Sequence, residues 1–470
     1  MQPEADVLVI GAGAAGMAAA ATAAELGLRT VVLDEQGGPG GQIYRGIATV
    51  SAQMADRLGP DYRHGRTLAD ALSASTASLE PDTTVWDVDA ALNVATLCNG
   101  VVRQVRARHL IVATGAIERA VPVTGWTLPG VMFAGAAQLM LKTACSVPAG
   151  RVALAGNGPL LLLVANQLLE AGADVAALVD TTRAADMLAG APHLPRALGA
   201  FGYLAKGLAM MRSLRRARVR WITGATGLAV IGEQRAEALQ VQTARGTERI
   251  EADVVLLHAG VIPNTQLTRL MRLDHVWDEA QVSWRPRVDA WGRSSDARVS
   301  VAGDGAGIGG ARVAEAGGTV AALDAATALG RIDGAERDRR GVPLLAEARR
   351  HLRIRPMLDA MYRPPHWIMN PPDDTIVCRC EEVTAGEIRR MTKLGCRGPN
   401  QTKFFSRCGM GPCQGRICGP VVAAILATEN RLGPREVGAY RIRPPLKPVP
   451  VAAIAALAAT DGTPEPTRKT

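Results

Sequence analysis

An apolar run, Val7-Leu8-Val9-Ile10, turns at Gly11-Ala12-Gly13-Ala14-Ala15-Gly16 into an alanine-rich stretch, and this junction restricts the fold more than any other feature of the chain. Gly11 permits a tight turn out of a strand. Gly13 leaves backbone bare for a pyrophosphate, and Gly16 lets the next helix lie close to the sheet. Ala15 sits in the same turn, where a helix N-terminus offers free N–H groups to phosphate. Thr30–Leu33 reads as the next strand and ends at Asp34, placed to bond ribose hydroxyls, with Glu35 as the alternative. Strand, helix, strand and acid together predict a nucleotide-binding β-α-β unit; the competing reading is a glycine turn in an unliganded α/β domain.

The plan recurs downstream. Arg151–Ala155 reads as a strand, Gly156-Asn157-Gly158 as the turn, Leu160–Glu170 as a helix and Val175–Val179 as a strand ending at Asp180. Leu161 stands where the third glycine belongs, which pushes the helix off the strand or blocks the cofactor path. Gly156, Gly158 and Asp180 are therefore candidates for NAD(P), for another nucleotide such as ATP held structurally, or for an empty site. Two more strand-to-glycine junctions follow, at Leu110–Gly115 and at Val299–Gly305.

Six of the eight cysteines fall within residues 378–418, as Cys378-Arg379-Cys380, then Cys396, then Cys408, Cys413 and Cys418 in a glycine-rich loop. A chain of 470 residues needs no disulfide staples, and its acidic start is not a secretory leader. In a reducing cytosol such crowding means metal ligands. A 2Fe–2S cluster needs four thiolates on short loops with N–H groups near the sulfurs. Structural zinc and a disulfide framework are the alternatives. Five or six cysteines compete for four places, and Cys408 can replace Cys418. Thr384 and Glu387 form a capping box for a short helix, and Pro420 opens another whose dipole is expected to lower the Cys418 pKa. Cys396, Cys98 and Cys145 read as buried small apolar residues.

The net charge of +9 is concentrated in Lys206–Arg220, read as a solvated helix face or, alternatively, a docking surface for an acidic partner or anionic lipid. With 3% aromatic residues, nucleic-acid stacking platforms are excluded, and no apolar stretch reaches membrane-span length. These features place the chain in the cytoplasm with at most peripheral contact with the inner membrane. Residues 335–372 read as an Arg/Pro-rich connector and the segment from Pro444 as a flexible or draped tail.

Gly11–Gly16, Gly40-Gly41-Gln42, Ala113-Thr114-Gly115 and Ala302-Gly303-Asp304 resemble the flavoproteins with two dinucleotide-binding domains, of the thioredoxin-reductase and ferredoxin-reductase kind. The resemblance implies FAD, with Gly41 and Gln42 beside the flavin, Thr114 and Gly115 at its cavity, and Gly303 and Asp304 at its ribityl chain. It implies an α/β fold with one Rossmann-like domain inserted in the other and a small α-rich C-terminal domain. The expected limits are 1–120 with 290–345 for FAD, 121–289 for the second nucleotide, 346–373 for the connector, 374–432 for the cluster and 433–470 for the tail. The cysteine module resembles the bacterioferritin-associated-ferredoxin type, which selects Cys378, Cys380, Cys413 and Cys418. With Gly125-Trp126, Pro129-Gly130-Val131 and Gly409–Arg416, the whole chain is similar to the FAD/2Fe–2S alpha subunits of multi-subunit amine and imino-acid dehydrogenases, such as opine oxidases, D-hydroxyproline dehydrogenase and hydrogen cyanide synthase. That likeness implies two partners, a FAD subunit of the glycine/sarcosine-oxidase-like type and a small ferredoxin-like one. Other readings are an NAD(P)H-dependent FAD/2Fe–2S reductase and a non-catalytic assembly subunit that carries a cluster.

Overall fold

Strand Ala5–Ile10 is buried on both faces because it runs in the middle of a sheet, parallel to Thr30–Leu33 on one side and to the carboxyl half of Val101–Val112 on the other. The computed structural model describes residues 4–460; Met1–Pro3 and residues 461–470, the end of the expected tail, lie outside it. The strand order is Ser78–Glu80, Thr30–Leu33, Ala5–Ile10, Val101–Val112, Asn93–Cys98, Thr83–Val88, and Val299–Val301 adds in parallel to Val101–Val112. A strand far along the chain thus completes the first sheet.

Helix Ala14–Glu25 covers this sheet and packs on helix Ala311–Ala328. Both are built from small residues, so the contact is backbone on backbone. A Cβ on Gly16 would lie 1.7 Å from the Gly11 carbonyl oxygen, and one on Gly318 would lie 2.0 Å from that of Ala15.

A second, wholly parallel sheet orders Arg220–Thr223, Asp174–Asp180, Arg151–Asn157, Val254–Ala259 and Val131–Phe133. Leu161 does not obstruct it. It is 2% exposed and packs beneath the sheet in one cluster with Val152, Leu154 and Leu256.

The expected connector is mostly helical: Gly334–His351, capped by the Asp333 carboxylate on the Glu336 N–H, then Arg355–Met361 and His366–Met369. Arg and Pro conceal this because Pro sits at tolerated first-turn positions of Arg355–Met361. The tail is draped over the body and continues into helix Val451–Thr460, which packs on strand Val101–Val112. Tyr440, Ile442 and Leu446 are buried, and the Leu446 N–H donates to the Trp86 carbonyl at 2.7 Å. No helix among the described residues is long and apolar enough to cross a membrane. Cys145, expected to be buried, is exposed: it ends helix Ala134–Ala144 in the left-handed region at φ 50°. Cys98 is half-buried at a strand end.

Helix Ala134–Ala144 carries Lys142 beneath the Gly40–Gly46 loop, where its ammonium donates to the Gln42 carbonyl at 3.1 Å and to Gln138 Oε1 at 2.9 Å. Burial, with the Arg45 charge nearby, pushes its pKa down from 10.5 to about 7.

Two outcomes follow from this packing. Gly318→Ala forces the two helices apart and lowers stability by about 1–3 kcal/mol, measured by denaturant unfolding. Between pH 7 and 10.5 unfolded Lys142 holds a proton that the folded form lacks. Wild-type stability therefore rises with pH across that window relative to Lys142→Met, by at most about 1.4 kcal/mol per pH unit. Parallel melting-temperature profiles of the two proteins would disprove the buried neutral amine.

Candidate flavin cavity and cysteine cluster

The carboxyl ends of the first sheet's strands surround a cavity of about 380 Å³. Gly11, Gly13, Ala15, Asp34, Glu35, Gly41, Gln42, Thr114, Gly115, Gly303 and Asp304 line it, whereas Gly16 stands behind, against Gly11. Its floor is bare backbone: a Cβ on Gly41 would come 2.8 Å from Gly13 Cα. Such a cradle fits a dinucleotide pyrophosphate. Asp34 accepts the Ala12 N–H at 2.5 Å and the Gln36 N–H at 2.8 Å, and burial raises its pKa. A carboxylate has about four acceptor sites, so hydroxyls can still be bound. Glu35 is held at the rim by Lys447 at 2.8 Å. The Gln42 amide donates to the Ala116 carbonyl at 2.8 Å, pinning its loop over the Thr114–Ala116 turn. Asp304 accepts the N–H groups of Gly309 and Gly310 at 2.8 and 2.9 Å, just before helix Ala311–Ala328.

Sequence reasoning missed four residues here. Glu118 lines the cavity, accepts the Gly135 N–H at 2.9 Å and pairs with His258 Nδ1 at 2.6 Å. Glu118 ends the short strand Ala116–Glu118, which pairs with Val261–Pro263 just past the His258 strand Val254–Ala259, so no local pattern announces the pair. Arg416 and Lys447 reach the same cavity from the cysteine loop and the tail.

The second fingerprint is differently placed. Gly156 backs tightly on the His258 carbonyl, with 1.6 Å left for a Cβ, and the Asn157 amide donates to the Arg363 carbonyl at 2.9 Å. Asp180 accepts the Thr182 N–H at 2.8 Å, and burial raises its pKa. None of Gly156, Gly158 or Asp180 lines the larger cavity, of about 630 Å³, that opens next to them. Thr181, Arg183, Arg269, Trp277, Trp284, Trp367 and Arg416 do. Arg269 Nη2 and the indole N–H groups of Trp277 and Trp284 are buried without a hydrogen-bond partner among the described residues.

In the cysteine module the Thr384/Glu387 capping box forms as the spacing predicts. The sulfurs of Cys378, Cys408 and Cys418 lie within 4.8 Å of one another, all buried. Cys380, exposed, sits beside half-buried Cys413, whose N–H and thiol both face its sulfur. Thiols of Cys408 and Cys418, with the N–H groups of Gly409 and Glu381, hold the Cys378 thiol down to about 2. The hydrogen bonds with Cys378 in turn push the Cys408 thiol up to about 12 and the Cys418 thiol well up. The expected dipole effect on Cys418 is overruled by these two sulfurs, although Cys418 does precede helix Gly419–Asn430. The loop's glycines are sterically required: a Cβ on Gly411 would lie 2.2 Å from Cys380 Cβ, and one on Gly415 2.3 Å from the Tyr440 ring. Cys396 is buried at a helix end, away from the group. Trp126 joins the module to the body, its indole donating to the Ile376 carbonyl at 2.6 Å with Arg379 over its ring.

Residues 5–318 match the pyridine nucleotide-disulphide oxidoreductase family and residues 373–458 the sarcosine oxidase A3 domain. An opine oxidase subunit of Agrobacterium tumefaciens is 44% identical, with 96% of this chain and 92% of that protein covered. The hydrogen cyanide synthase subunit HcnB of Pseudomonas aeruginosa is 32% identical, with 95% and 97% covered. Among solved structures, L-proline dehydrogenase from P. horikoshii shares the fold at a TM-score of 0.68 and 17% identity, over 96% of this chain and 79% of that one. The chain belongs to the pyridine nucleotide-disulphide oxidoreductase family, as a flavin oxidoreductase subunit of the kind found in opine oxidase and, as HcnB, in hydrogen cyanide synthase.

Proposed function

We propose that this chain is the flavin and iron–sulfur electron-transfer subunit of a cytoplasmic heteromeric dehydrogenase acting on an amine, opine or hydroxyproline-like imino acid. One observation carries the reading: Arg416, between Cys413 and Cys418, lines the flavin cavity, so the two redox sites share a wall. FAD exchanges electrons in pairs or singly, which is the conversion a one-electron cluster requires.

The chain's own residues bind and orient. Gly11, Gly13 and Gly41 admit the pyrophosphate, Asp34 takes ribose hydroxyls and Asp304 faces the ribityl chain. Cys378, Cys380, Cys413 and Cys418 hold the 2Fe–2S cluster. The support is that Cys378 and Cys418 share one buried group, of which Cys408 is the third member, while Cys380 lies beside Cys413. Cys408 is the fifth thiol, in the same buried group as Cys378 and Cys418.

The partner is a sarcosine-oxidase-like FAD subunit that oxidises the C–N bond, accompanied by a small ferredoxin-like subunit, and the electrons leave for a respiratory acceptor. The larger cavity takes a second nucleotide, NAD(P) or ATP, a reading supported by its two indoles without a hydrogen-bond partner and its four arginines, Arg183, Arg269, Arg363 and Arg416.

Cys413→Ser is expected to keep flavin absorbance while abolishing the iron–sulfur spin-resonance signal of the reduced complex, whereas Cys408→Ser keeps both. Substrate still bleaches the partner's flavin in Cys413→Ser, but turnover with the external acceptor falls at least tenfold. An unaltered signal and turnover in Cys413→Ser would refute both the ligand set and the route.

A further inference from the structure

Residues 184–216 form an almost continuous helical run, through Ala184–Gly190, Ala191–His193, Leu194–Ala197, Leu198–Ala200 and Phe201–Arg216. Its inner side repeats every seventh residue, with Gly190 and Ala197 buried and Leu204 and Met211 half-buried. Its outer side repeats alternately every fourth and third residue: Met187, Leu194, Leu198, Phe201 and Leu208, with Ala191 and Ala205 in the gaps. All are exposed, Met187 by 58%, Leu198 by 55% and Phe201 by 65%. The row then ends in Arg212 and Arg215.

A solvated helix turns charged residues outward, whereas the part of this run that precedes Lys206–Arg220 turns apolar residues outward. Single exposed leucines are ordinary, but a continuous row marks a surface with a partner.

Charge decides between occupants. Residues 183–220 hold eight lysines and arginines and one acid, Asp186. Asp186, Asp61 and Glu248 pair with Arg183, Lys206 and Arg220. Arg212, Arg216 and Arg218 have no ion-pair partner among the described residues. A second copy of the chain would press this cationic stretch against itself with no acid to offset it. A bilayer rich in acidic phospholipid supplies both an apolar interior and anionic phosphates.

We propose that this helical face docks the protein on an anionic membrane surface, with Leu198, Phe201 and Leu208 among the acyl chains and Arg212 and Arg216 at the phosphates. The proposal stands independently of the redox assignment.

The flavin-loaded chain, alone and assembled with its partner subunits, is floated with phosphatidylcholine vesicles and with vesicles that also contain phosphatidylglycerol. Flotation is expected only with the anionic vesicles. The double variant Leu198→Glu/Phe201→Glu abolishes it, and Arg212→Gln and Arg216→Gln each weaken it about fivefold and flatten its salt dependence. Unchanged flavin absorbance and melting temperature verify folding of each variant. The proposal fails if wild-type protein does not float with anionic vesicles, or if the glutamate variant floats equally well. It also fails if that variant sheds its partner subunits or becomes monomeric from a wild-type dimer while still floating, since the face is then a protein interface.

Discussion

The approach of backbone to backbone around Gly11, Gly16 and Gly318 is the constraint on which the rest depends. At 1.7 and 2.0 Å from carbonyl oxygens, no Cβ fits at Gly16 or Gly318. Helix Ala14–Glu25 can therefore lie flat between the sheet and helix Ala311–Ala328, with its N-terminus aimed into the cavity. The same contact ties Gly303 and Asp304 to the first turn, since the Gly303 position faces Ala15 and Ala314. A site assembled from residues 11, 34, 41, 115 and 304 is thus held by one small-residue seam and not by side-chain interlocking.

What was legible in the sequence is what local steric rules enforce. A glycine needed for φ or close approach, an acid ending a strand and a Thr/Glu cap each announce themselves within a few residues. Cys418 was misjudged for the complementary reason. Its helix position is local and favours the thiolate, but the sulfurs of Cys378 and Cys408 arrive from elsewhere in the chain and outweigh it. Cys145 failed through position rather than type, because a helix end in the left-handed region faces outward whatever the residue prefers. The tail's role at the flavin cavity was illegible because it rests on Leu446 meeting Trp86 and Lys447 meeting Glu35, contacts that span most of the chain.

The helical run 184–216 shows a further limit. Apolar residues lie on both its sides, and only the fold reveals which stripe has a partner within the chain. The basic residues were visible, but their meaning depended on the unseen apolar row beside them.

The cysteine group has an internal logic that precedes any metal. Burying three thiols within 4.8 Å sets their sulfurs against one another, and hydrogen bonds from two thiols and two N–H groups favour the thiolate on Cys378. Adding further thiolates in that space without a cation would set like charges side by side in a poorly solvated pocket. The cluster proposed for this loop would remove the conflict by replacing the shared protons, and would further stabilise a loop that Tyr440 and the glycines already hold tightly. Arg416 issues from that same loop into the flavin cavity. Ordering the loop around the cluster proposed for it would therefore also set one wall of the flavin cavity, which couples the two sites through the fold.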